Sequence, residues 1–408
     1  MELDWRRVSF REVVSYHIGG GWGKDVPDDK HTEIAWVIRG TDIPATEVGD
    51  VSGVPHRYHK ASNLRPRRLQ ANDIVLEISG GSRDQPVGRA LLVSERRLGS
   101  LVGDTMCASF CKLVRFDAQQ VCPRFVLDHL RLIYENRQIM EFQTQSTGIS
   151  NFDFEDFLDR HEVYLPPLEV QRKIAAVLGA HDELIENNLR RIEILEEMAQ
   201  AVYREWFVNF RYPGHEADDL VDSPLGPIPE GWDVARLGDR IELVYGKALR
   251  KNDRRVGAVP VFGSSGVIGW HDTALAQGPG IIVGRKGNVG AVHWSSGAFY
   301  PIDTTFYVRT DMPLQYVLRN LRDQSFINSD AAVPGLNRSQ ALANLLLVPS
   351  PTMLERFEAT QELMTELRAN LARQNGNLRA TRDLLLPKLL SGEIDVSGLD
   401  IDTSWLVA

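Results

Sequence analysis

The stretch LPPLEVQRKIAAVLGAHDELIENNLRRIEIL, residues 165–195, begins with a Pro-rich turn and continues as an amphipathic segment. From Ile174 to Val202 its seam positions recur at alternating spacings of four and three, and seven of the nine are apolar. That spacing is typical of a coiled coil and is too narrow for a helix lying on a sheet. It predicts one helix from about 168 to 208, roughly 60 Å long at 1.5 Å per residue. The nine positions are Ile174, Leu178, His181, Ile185, Asn188, Ile192, Leu195, Ala199 and Val202.

A second segment of the same kind, VPSPTMLERFEATQELMTELRANLARQNGNLRATRDLLLPKLL, occupies residues 348–390, with Pro349 in the place of Pro166. Its seam also recurs by threes and fours, which predicts a second long helix that Pro387 and Gly392 end. The predicted seam positions are Phe357, Thr360, Met364, Leu367, Leu371, Gln374, Leu378, Thr381 and Leu385.

The segments that precede the two helices resemble one another in outline. Each opens on a tryptophan, Trp5 or Trp232, and consists of short strand-like runs bounded by Gly, Pro or Asp, with brief helices between them. The sequence therefore predicts an α/β fold in which two mixed α/β domains are joined by two long helices. The matching outlines of the two halves predict an internal duplication. The predicted segments are a first domain at 1–165, a central helical region at 166–211, a linker at 212–231, a second domain at 232–347, a C-terminal helical region at 348–392 and a tail at 393–408.

Length and composition restrict the class of protein. With 408 residues, 43% hydrophobic and 25% charged, the chain has an ordinary globular composition and exceeds the usual size of one core. The sequence shows no apolar run of membrane-spanning length and no secretory signal, so we expect a cytoplasmic protein. A net charge of −9 argues against indiscriminate coating of nucleic acid, although residues 232–346 carry 13 Lys and Arg against 9 Asp and Glu.

Motifs for catalysis and for metals are missing from the sequence. HIGGGWGKDVP, residues 17–27, fails as a phosphate loop because Lys24 is followed by Asp25, and it predicts a close-approach turn instead. There is no G-x-S-x-G and no H-E-x-x-H. The three cysteines lack the C-x2-C spacing of structural zinc, so no metal site is predicted. Without catalytic residues to propose, we expect a binding protein and not an enzyme.

Two glycine-rich loops have the composition of a DNA-reading surface. In the second domain Arg285, Lys286 and Asn288 alternate with glycines, and Ser264 and Ser265 lie in the preceding loop. Arg and Lys suit guanine edges or phosphates, and Asn suits adenine. The alternative is an ordinary hairpin turn with solvated charges. A matching polar loop lies between two predicted strands of the first domain and contributes Ser79, Gly81, Arg83 and Gln85, with a solvated face as its alternative.

Several stretches together resemble the specificity subunit of type I restriction-modification systems. LPPLEVQRKIAAVLGAHDELIENN, AVYREWFVNFRYPG, GPIPEGWDVARLGD and RDLLLPKLLSGEIDV are similar to its helical regions and their flanks. WVIRGTDI, ISGGSRDQPVGRALLVS, VFGSSGVIGWHD, GRKGNVG and PIDTTFYV are similar to its target recognition domains. The resemblance covers nearly the whole chain in the family's order.

The resemblance implies a non-catalytic subunit in which each recognition domain reads one half of a bipartite DNA site. The helices would pack as an antiparallel coiled coil, with a pseudo-twofold relating the two halves. They would act as a spacer and dock two methylation subunits, which bind S-adenosylmethionine and methylate adenine. Restriction subunits, which use ATP and Mg to translocate and cleave DNA, would complete the complex. The chain itself would hold no cofactor. The alternative function is a coiled-coil scaffold that bridges protein partners without reading DNA.

Two further predictions concern the helices. Asn188 and Gln374 lie mid-seam where apolar residues are more stable, so we expect them to meet and fix the register, as buried amides do in coiled coils. Tyr203, Trp206 and Phe207, in the AVYREWF motif, are expected to dock the methylation subunits.

Overall fold

The computed structural model of the chain describes residues 5–80, 85–146, 148–326 and 335–407. The chain folds as two compact units. The first contains the residues up to Arg190 together with those from Leu371 onward, and the second contains Arg191–Asn370. Each long helix therefore contributes residues to both units. Within the described ranges, no helix combines the length and apolarity needed to cross a membrane.

Ten α-helices are present among these residues, and two of them are much longer than the rest. α7 and α10 have 40 residues each, and they match the two helices predicted from the seams. The helices are α1 (Phe10–Val13), α2 (Ile43–Glu47), α3 (Ala61–Leu64), α4 (Glu95–Ser100), α5 (Pro123–Glu135), α6 (Phe154–Arg160), α7 (Leu168–Phe207), α8 (Leu314–Asp323), α9 (Arg338–Leu342) and α10 (Pro351–Leu390).

The first domain is built on three principal sheets. A four-stranded sheet has the order β2-β9-β5-β7, a three-stranded sheet has the order β4-β3-β8, and β1 pairs with β12. A smaller sheet, β10-β11-β6, covers one end. The strands are β1 (Arg6–Ser9), β2 (Val14–Gly19), β3 (Glu33–Ile38), β4 (His56–His59), β5 (Ile74–Glu77), β6 (Ser79–Gly80), β7 (Ala90–Leu92), β8 (Asp104–Cys107), β9 (Cys111–Phe116), β10 (Gln143–Ser146), β11 (Ile149–Phe152) and β12 (Glu162–Leu165).

The second domain repeats this arrangement strand for strand. Its sheets have the orders β16-β22-β19-β20, β18-β17-β21 and β15-β23, and each matches one principal sheet of the first domain. The parallel pair β3 and β8 has its counterpart in β17 and β21. The strands of the second unit are β13 (Leu220–Val221), β14 (Ile228–Pro229), β15 (Asp233–Arg236), β16 (Ile241–Tyr245), β17 (Val259–Gly263), β18 (Gly266–His271), β19 (Gly280–Gly284), β20 (Val292–Ser295), β21 (Tyr300–Pro301), β22 (Thr305–Thr310) and β23 (Leu345–Val348).

Taken together, the matching strand orders and the two packed helices confirm the predicted fold class, an internal duplication of mixed α/β domains with a pair of long helices. Each domain builds a core where its sheets meet its helices. In the first unit, Phe10, Phe125 and Phe157 lie in a cluster that also takes in α7 and the end of α10. In the second, Tyr316 and Phe357 are part of a cluster that includes the last turns of α7.

The seam predicted for α7 is confirmed, because all nine positions are buried or half-buried. The seam predicted for α10 is wrong at three of its nine positions. Phe357, Met364, Leu371 and Leu378 belong to it, but Thr381, Gln374 and Leu367 are exposed. The positions one residue further along are the ones that turn inward. They are Gln361, Arg368, Asn375 and Arg382, which recur every seven residues.

The end predicted for α10 at Pro387 is also wrong. Pro387 lies inside the helix, which continues to Leu390. A proline has no amide hydrogen to bond the carbonyl four residues earlier, so the turn is weakened. Burial of Leu386, Leu389 and Leu390 in the core of the first unit holds the turn together.

Candidate nucleic-acid interface

In the first domain, the loops at one edge of the sheets converge. β2 and β5 end beside the start of β9, since Gly19 pairs with Lys112 and Glu77 with Cys111. β3 and β8 run parallel and end together, because Ile38 is opposite Cys107. The turn from β8 to β9 joins these two sheets at the same edge. We call this the loop edge of the domain.

The glycine loop that failed as a phosphate site belongs to the loop edge. A Cβ placed on Gly20 would lie 2.1 Å from the carbonyl oxygen of Ala108, so only glycine fits. The amide of Gly20 donates to the carbonyl of Cys111 over 2.9 Å. The prediction of a close-approach turn here is therefore confirmed. The turn also places Trp22 at the loop edge, where its side chain is 37% exposed.

The loop edge of the first domain surrounds a cavity of about 710 Å³. Ser79 and Gln85, two residues predicted from the sequence, line it. The hydroxyl of Ser79 donates to the Oδ1 atom of Asn151 over 2.7 Å, and Gln85 is exposed. The other two predicted residues, Gly81 and Arg83, lie outside the described part of the chain. The described lining consists of Trp22, Arg39, Gly40, Thr41, Glu77, Ser79, Gly80, Gln85, Arg89, Ala108, Ser109 and Phe110.

Charged groups in the cavity lining are already paired. Glu77 is buried and accepts two hydrogen bonds from Arg89, at 2.9 Å from Nε and 2.6 Å from Nη2. Arg39 holds the carboxylate of Asp42 in the same way, at 2.9 and 2.7 Å. Two charge-assisted bonds fix each guanidinium, so these arginines act as rigid donors.

Sequence reasoning missed two aromatic residues of this edge. Phe110, in the β8–β9 turn, is 59% exposed, and Trp22 carries the guanidinium of Arg57 at 4.2 Å from its ring centroid. Arg57 also forms an ion pair with Asp25. An aromatic residue in a turn has no sequence signature of its own, because only the strand pairing shows that both loops reach the same edge.

The second domain has an equivalent loop edge. Gly284 is opposite Thr305 and Phe262 is opposite Pro301, as in the first domain. Gly246 corresponds to Gly20, because a Cβ there would lie 2.2 Å from the carbonyl oxygen of Ile302. Its amide donates to the carbonyl of Thr305 over 3.1 Å.

All five residues predicted in the second domain belong to loops at this edge, and hydrogen bonds tie four of them into one structure. The amides of Arg285 and Lys286 donate to the carbonyl of Thr304 at 2.9 and 3.1 Å. The amide of Asn288 donates to the hydroxyl of Ser264 at 3.3 Å. The side chains of Lys286, Asn288 and Ser265 are exposed.

Arg285 is held more firmly than a solvated turn residue would be. Its Nη1 donates to the carbonyl of Asp303 over 2.7 Å, and its guanidinium lies 5.1 Å from the ring centroid of Tyr245. The guanidinium of Arg338 approaches the same ring at 5.9 Å. Arg285 therefore braces the loop, whereas Lys286 and Asn288 are the side chains available to a ligand.

The residues predicted to dock methylation subunits have a different environment. Tyr203 and Phe207 are each only 4% exposed and belong to the aromatic core of the second unit, and Trp206 packs against it. The hydroxyl of Tyr203 accepts a hydrogen bond from Asn320 over 2.9 Å. Docking through Tyr203 and Phe207 is therefore wrong for this fold, because an aromatic run at helical spacing serves the core here.

The mid-seam amide has a different partner from the one expected. The Nδ2 atom of Asn188 donates to the Oδ1 atom of Asn375 over 2.9 Å, and both residues are buried. The pairing of Asn188 with Gln374 is wrong, because Gln374 is exposed one position outside the seam. Whether the amide pair fixes the register stays a prediction.

Each unit contains one carboxylate of α7 surrounded by arginines. In the first, Asp182 contacts Arg382 of α10 at 2.7 Å together with Arg124 and Arg131 of α5. Burial alone would raise the pKa of Asp182, but the nearby arginines Arg131 and Arg124 hold it well below its ordinary value.

In the second unit, Glu196 contacts Arg368 of α10 together with Arg319 and Arg322 of α8. Arg319 is fully buried. Both acids therefore belong to α7, both of the seam arginines belong to α10, and a helix of each recognition domain supplies two more cations.

The cysteines and a histidine pair contribute structure and not reactivity. Cys107, Cys111 and Cys122 are buried free thiols, and burial raises the pKa of Cys107 to about 12. His129 and His161 share a hydrogen bond of 2.7 Å between their Nε2 atoms. Burial lowers the pKa of His129 to about 3 and that of His161 to about 4. In the described part of the chain, no group of three or more His, Cys, Asp or Glu side chains could hold a metal ion.

Comparisons with known proteins agree with this architecture. The family model for the type I restriction modification DNA specificity domain matches residues 70–197. The chain is 25% identical to the type I restriction enzyme MjaIX specificity subunit of Methanocaldococcus jannaschii, over 94% of this chain and 93% of the relative. It is 21% identical to the HindI specificity subunit of Haemophilus influenzae, over 56% of this chain and 68% of the relative.

A solved structure shows the same fold. The type I restriction-modification S subunit from M. genitalium superposes with a TM-score of 0.52 at 16% identity, over 95% of this chain and 96% of the other. The two chains therefore share the fold of duplicated α/β domains with two long helices. The chain is thus similar to type I restriction-modification specificity subunits, through the family model at residues 70–197 and through a relative that is aligned over 94% of the chain.

Proposed function

We propose that the chain recognises DNA sequence for a type I restriction-modification complex, with each loop edge reading one half of a bipartite site. The observation that carries this proposal is the repetition of the loop edge. Two domains with the same strand order place polar loops, Ser79 and Gln85 in one and Lys286 and Asn288 in the other, at the same strand ends. A duplicated reader suits two half-sites, as in dimeric DNA-binding proteins.

The chain acts without catalysis of its own in this proposal. Methylation subunits would bring S-adenosylmethionine, and restriction subunits would bring ATP and Mg. The family likeness and the repeated loop edge support this function over a scaffold that bridges proteins without touching DNA. We place the chain in the cytoplasm, where host DNA is accessible.

DNA binding by the chain together with its methylation subunit tests the proposal. We expect sequence-specific binding that weakens steeply with salt, because neutralised phosphates release counterions. A duplex with both half-sites scrambled is the control. Equal affinity for the two duplexes, or no binding to either, would instead favour the scaffold.

The helix pair sets the distance between half-sites in this account. Polar contacts within each unit fix how α7 lies on α10, which a flexible linker would not do. Deleting residues 186–192 and 371–377 removes one heptad from each helix, including both members of the amide pair. The spacer should shorten by about 10 Å, or roughly three base pairs. If methylation mapping returned the original spacing, the helix pair would not set the distance between the half-sites.

A further inference from the structure

The cavity at the loop edge of the first domain has the character of a binding site. Trp22 and Phe110 project from separate loops and remain 37% and 59% exposed, so neither completes a core. Four loops contribute to the lining, those after β2, β3 and β8 and the one before β7, together with residues of strands β5 and β6. Exposed aromatic residues around a concave site indicate a ligand.

The described part of the lining argues against a phosphate as the occupant. The carboxylate of Glu77 belongs to it, and the guanidinium groups of Arg89 and Arg39 are already bound to Glu77 and Asp42. An anion placed there would meet a buried negative charge and arginines whose charges are already matched. The aromatic rings offer stacking surfaces, which bind bases in a sequence-tolerant way.

A paired base cannot be the occupant either. The edge of a paired base lies at the bottom of a groove, so a protruding helix or loop reads it and a concave surface does not. The part of a duplex that can enter a cavity of about 710 Å³ is a nucleotide that has left the base stack.

We propose that the cavity receives one unstacked base of the half-site that the first domain reads, with Trp22 and Phe110 as stacking surfaces. Gln85 and Thr41, which are exposed at the cavity, offer hydrogen bonds to the edge of the base. This inference rests on the proposed function and adds to it a distinct way of reading for one domain.

The second domain supplies an internal reference. At its loop edge the ring of Tyr245 is accompanied by Arg285 and Arg338, and the glycine loop is bonded to Thr304 and Ser264. Lys286 and Asn288 there suit reading of paired bases in a groove. We therefore expect an unstacked base in one half-site and not in the other, apart from any adenine that the methylation subunits themselves unstack.

Mispair scanning tests the inference on the complex of this chain with its methylation subunit. Each base pair of the site is converted to a mispair by changing one strand only, and the affinity is measured for both strands in turn. Unpairing costs a few kcal/mol, which a mispair removes in advance. Apart from adenines that the methylation subunits unstack, we expect binding to tighten about tenfold at one position of one half-site, whereas mispairs at positions read in the groove should weaken binding.

Three variants connect that gain to the cavity. Trp22→Ala and Phe110→Ala should each abolish the tightening, and Trp22→Phe should keep it because the stacking surface remains. Tyr164→Ala removes an aromatic residue that is 56% exposed and lies outside the cavity lining, and it should keep the tightening. Unchanged recognition of the groove-read positions in both half-sites shows that both domains are folded in every variant.

The possible results separate the two proposals. If the wild-type complex binds its site specifically but no mispair other than one at a methylated adenine tightens binding, or if such a gain persists in both alanine variants, the base-receiving cavity is overturned and the proposed function stands. If the wild-type complex shows no sequence preference, the proposed function fails, and the cavity proposal fails with it.

Discussion

The two recognition domains have the same strand order but different loop edges. The first surrounds a cavity with exposed Trp22 and Phe110, and the second presents Lys286 and Asn288 on a loop tied to Thr304 and Ser264. Where the backbone frame repeats, its details repeat also, as the equivalent glycines Gly20 and Gly246 show. The comparison teaches that the sheets fix the position of the loop edge in each domain, whereas the loops determine which side chains it presents.

The largest expected effect comes from disrupting the close-approach glycine turn that both domains share. Gly20→Ala or Gly246→Ala would bring a Cβ within about 2.2 Å of a backbone carbonyl, so the turn must move. We expect each to destabilise its own domain by ~4 kcal/mol. Gly99→Ala and Gly297→Ala, whose added Cβ would meet nothing within 4 Å, are the matched controls. Hydrogen exchange resolved by domain measures the effect. Equal loss of protection in both domains would contradict the expectation that each glycine stabilises only its own domain.

The carboxylate clusters sharpen the comparison between the two units. Glu196→Gln removes the carboxylate that Arg319, Arg322 and Arg368 share, and uncompensated charges in a largely buried site should cost about 3 kcal/mol. Asp182→Asn should cost less, because Arg124 and Arg131 keep Asp128 and Arg382 keeps Asp383. Chemical denaturation measures this loss. The exposed Glu169, paired with Lys173, is the control, and its change to Gln should cost under ~1 kcal/mol.

Mild acid should weaken the first unit through its histidine pair. The folded-state pKa values of about 3 for His129 and about 4 for His161 lie below the ordinary value of 6.5. The unfolded chain therefore binds protons that the folded chain does not, and stability is lost as the pH falls below 6.5. Between pH 6.5 and 5.5 we expect a loss of about 2 kcal/mol for the pair.

Hydrogen exchange as a function of pH locates this loss. Protection should decrease in the first unit over that range, and a His129→Phe, His161→Phe double variant should remove most of the pH dependence. If protection in the first unit depended on pH equally in the wild type and in the double variant, groups other than the two imidazoles would be responsible.

The amide pair carries the smallest expected effect. Asn188→Leu leaves the buried side chain of Asn375 without its partner, so we expect a coupling of about 1 kcal/mol between these two positions. A double-mutant cycle measures it by denaturation. The cycle between Asn188 and the exposed Gln374 is the control and should give none, whereas coupling there would contradict the observed seam.

The buried positions of a helix could be predicted from the sequence where apolar residues recur at regular spacing. They could not be predicted where polar residues are buried against partners in other parts of the chain. The apolar seam of α7 was predictable, and the seam of α10 was misplaced because its alternate positions are Gln361, Arg368, Asn375 and Arg382. These polar side chains turn inward because they bind groups of α7, namely two carboxylates, a side-chain amide and a backbone carbonyl. The sequence of α10 alone does not reveal those partners, because they belong to α7.

The candidate sites divide in the same way. The glycine loops with Ser79, Gln85, Lys286 and Asn288 were found because glycine and polar residues between strands predict exposed turns. Tyr203 and Phe207 were misassigned because an aromatic run has the same spacing on a surface and in a core. Trp22 and Phe110 were missed because only the strand pairing brings their loops together.

Base-resolution methylation mapping tests the central claim most directly. The wild-type complex is compared with Gln85→Ala, which alters the first loop edge, and with Lys286→Ala, which alters the second. We predict that each variant relaxes the methylated sequence in one half of the site only, that the two variants affect opposite halves, and that the spacing stays constant. Relaxation of the same half by both variants, or of both halves by either one, would contradict an account in which each domain reads its own half-site.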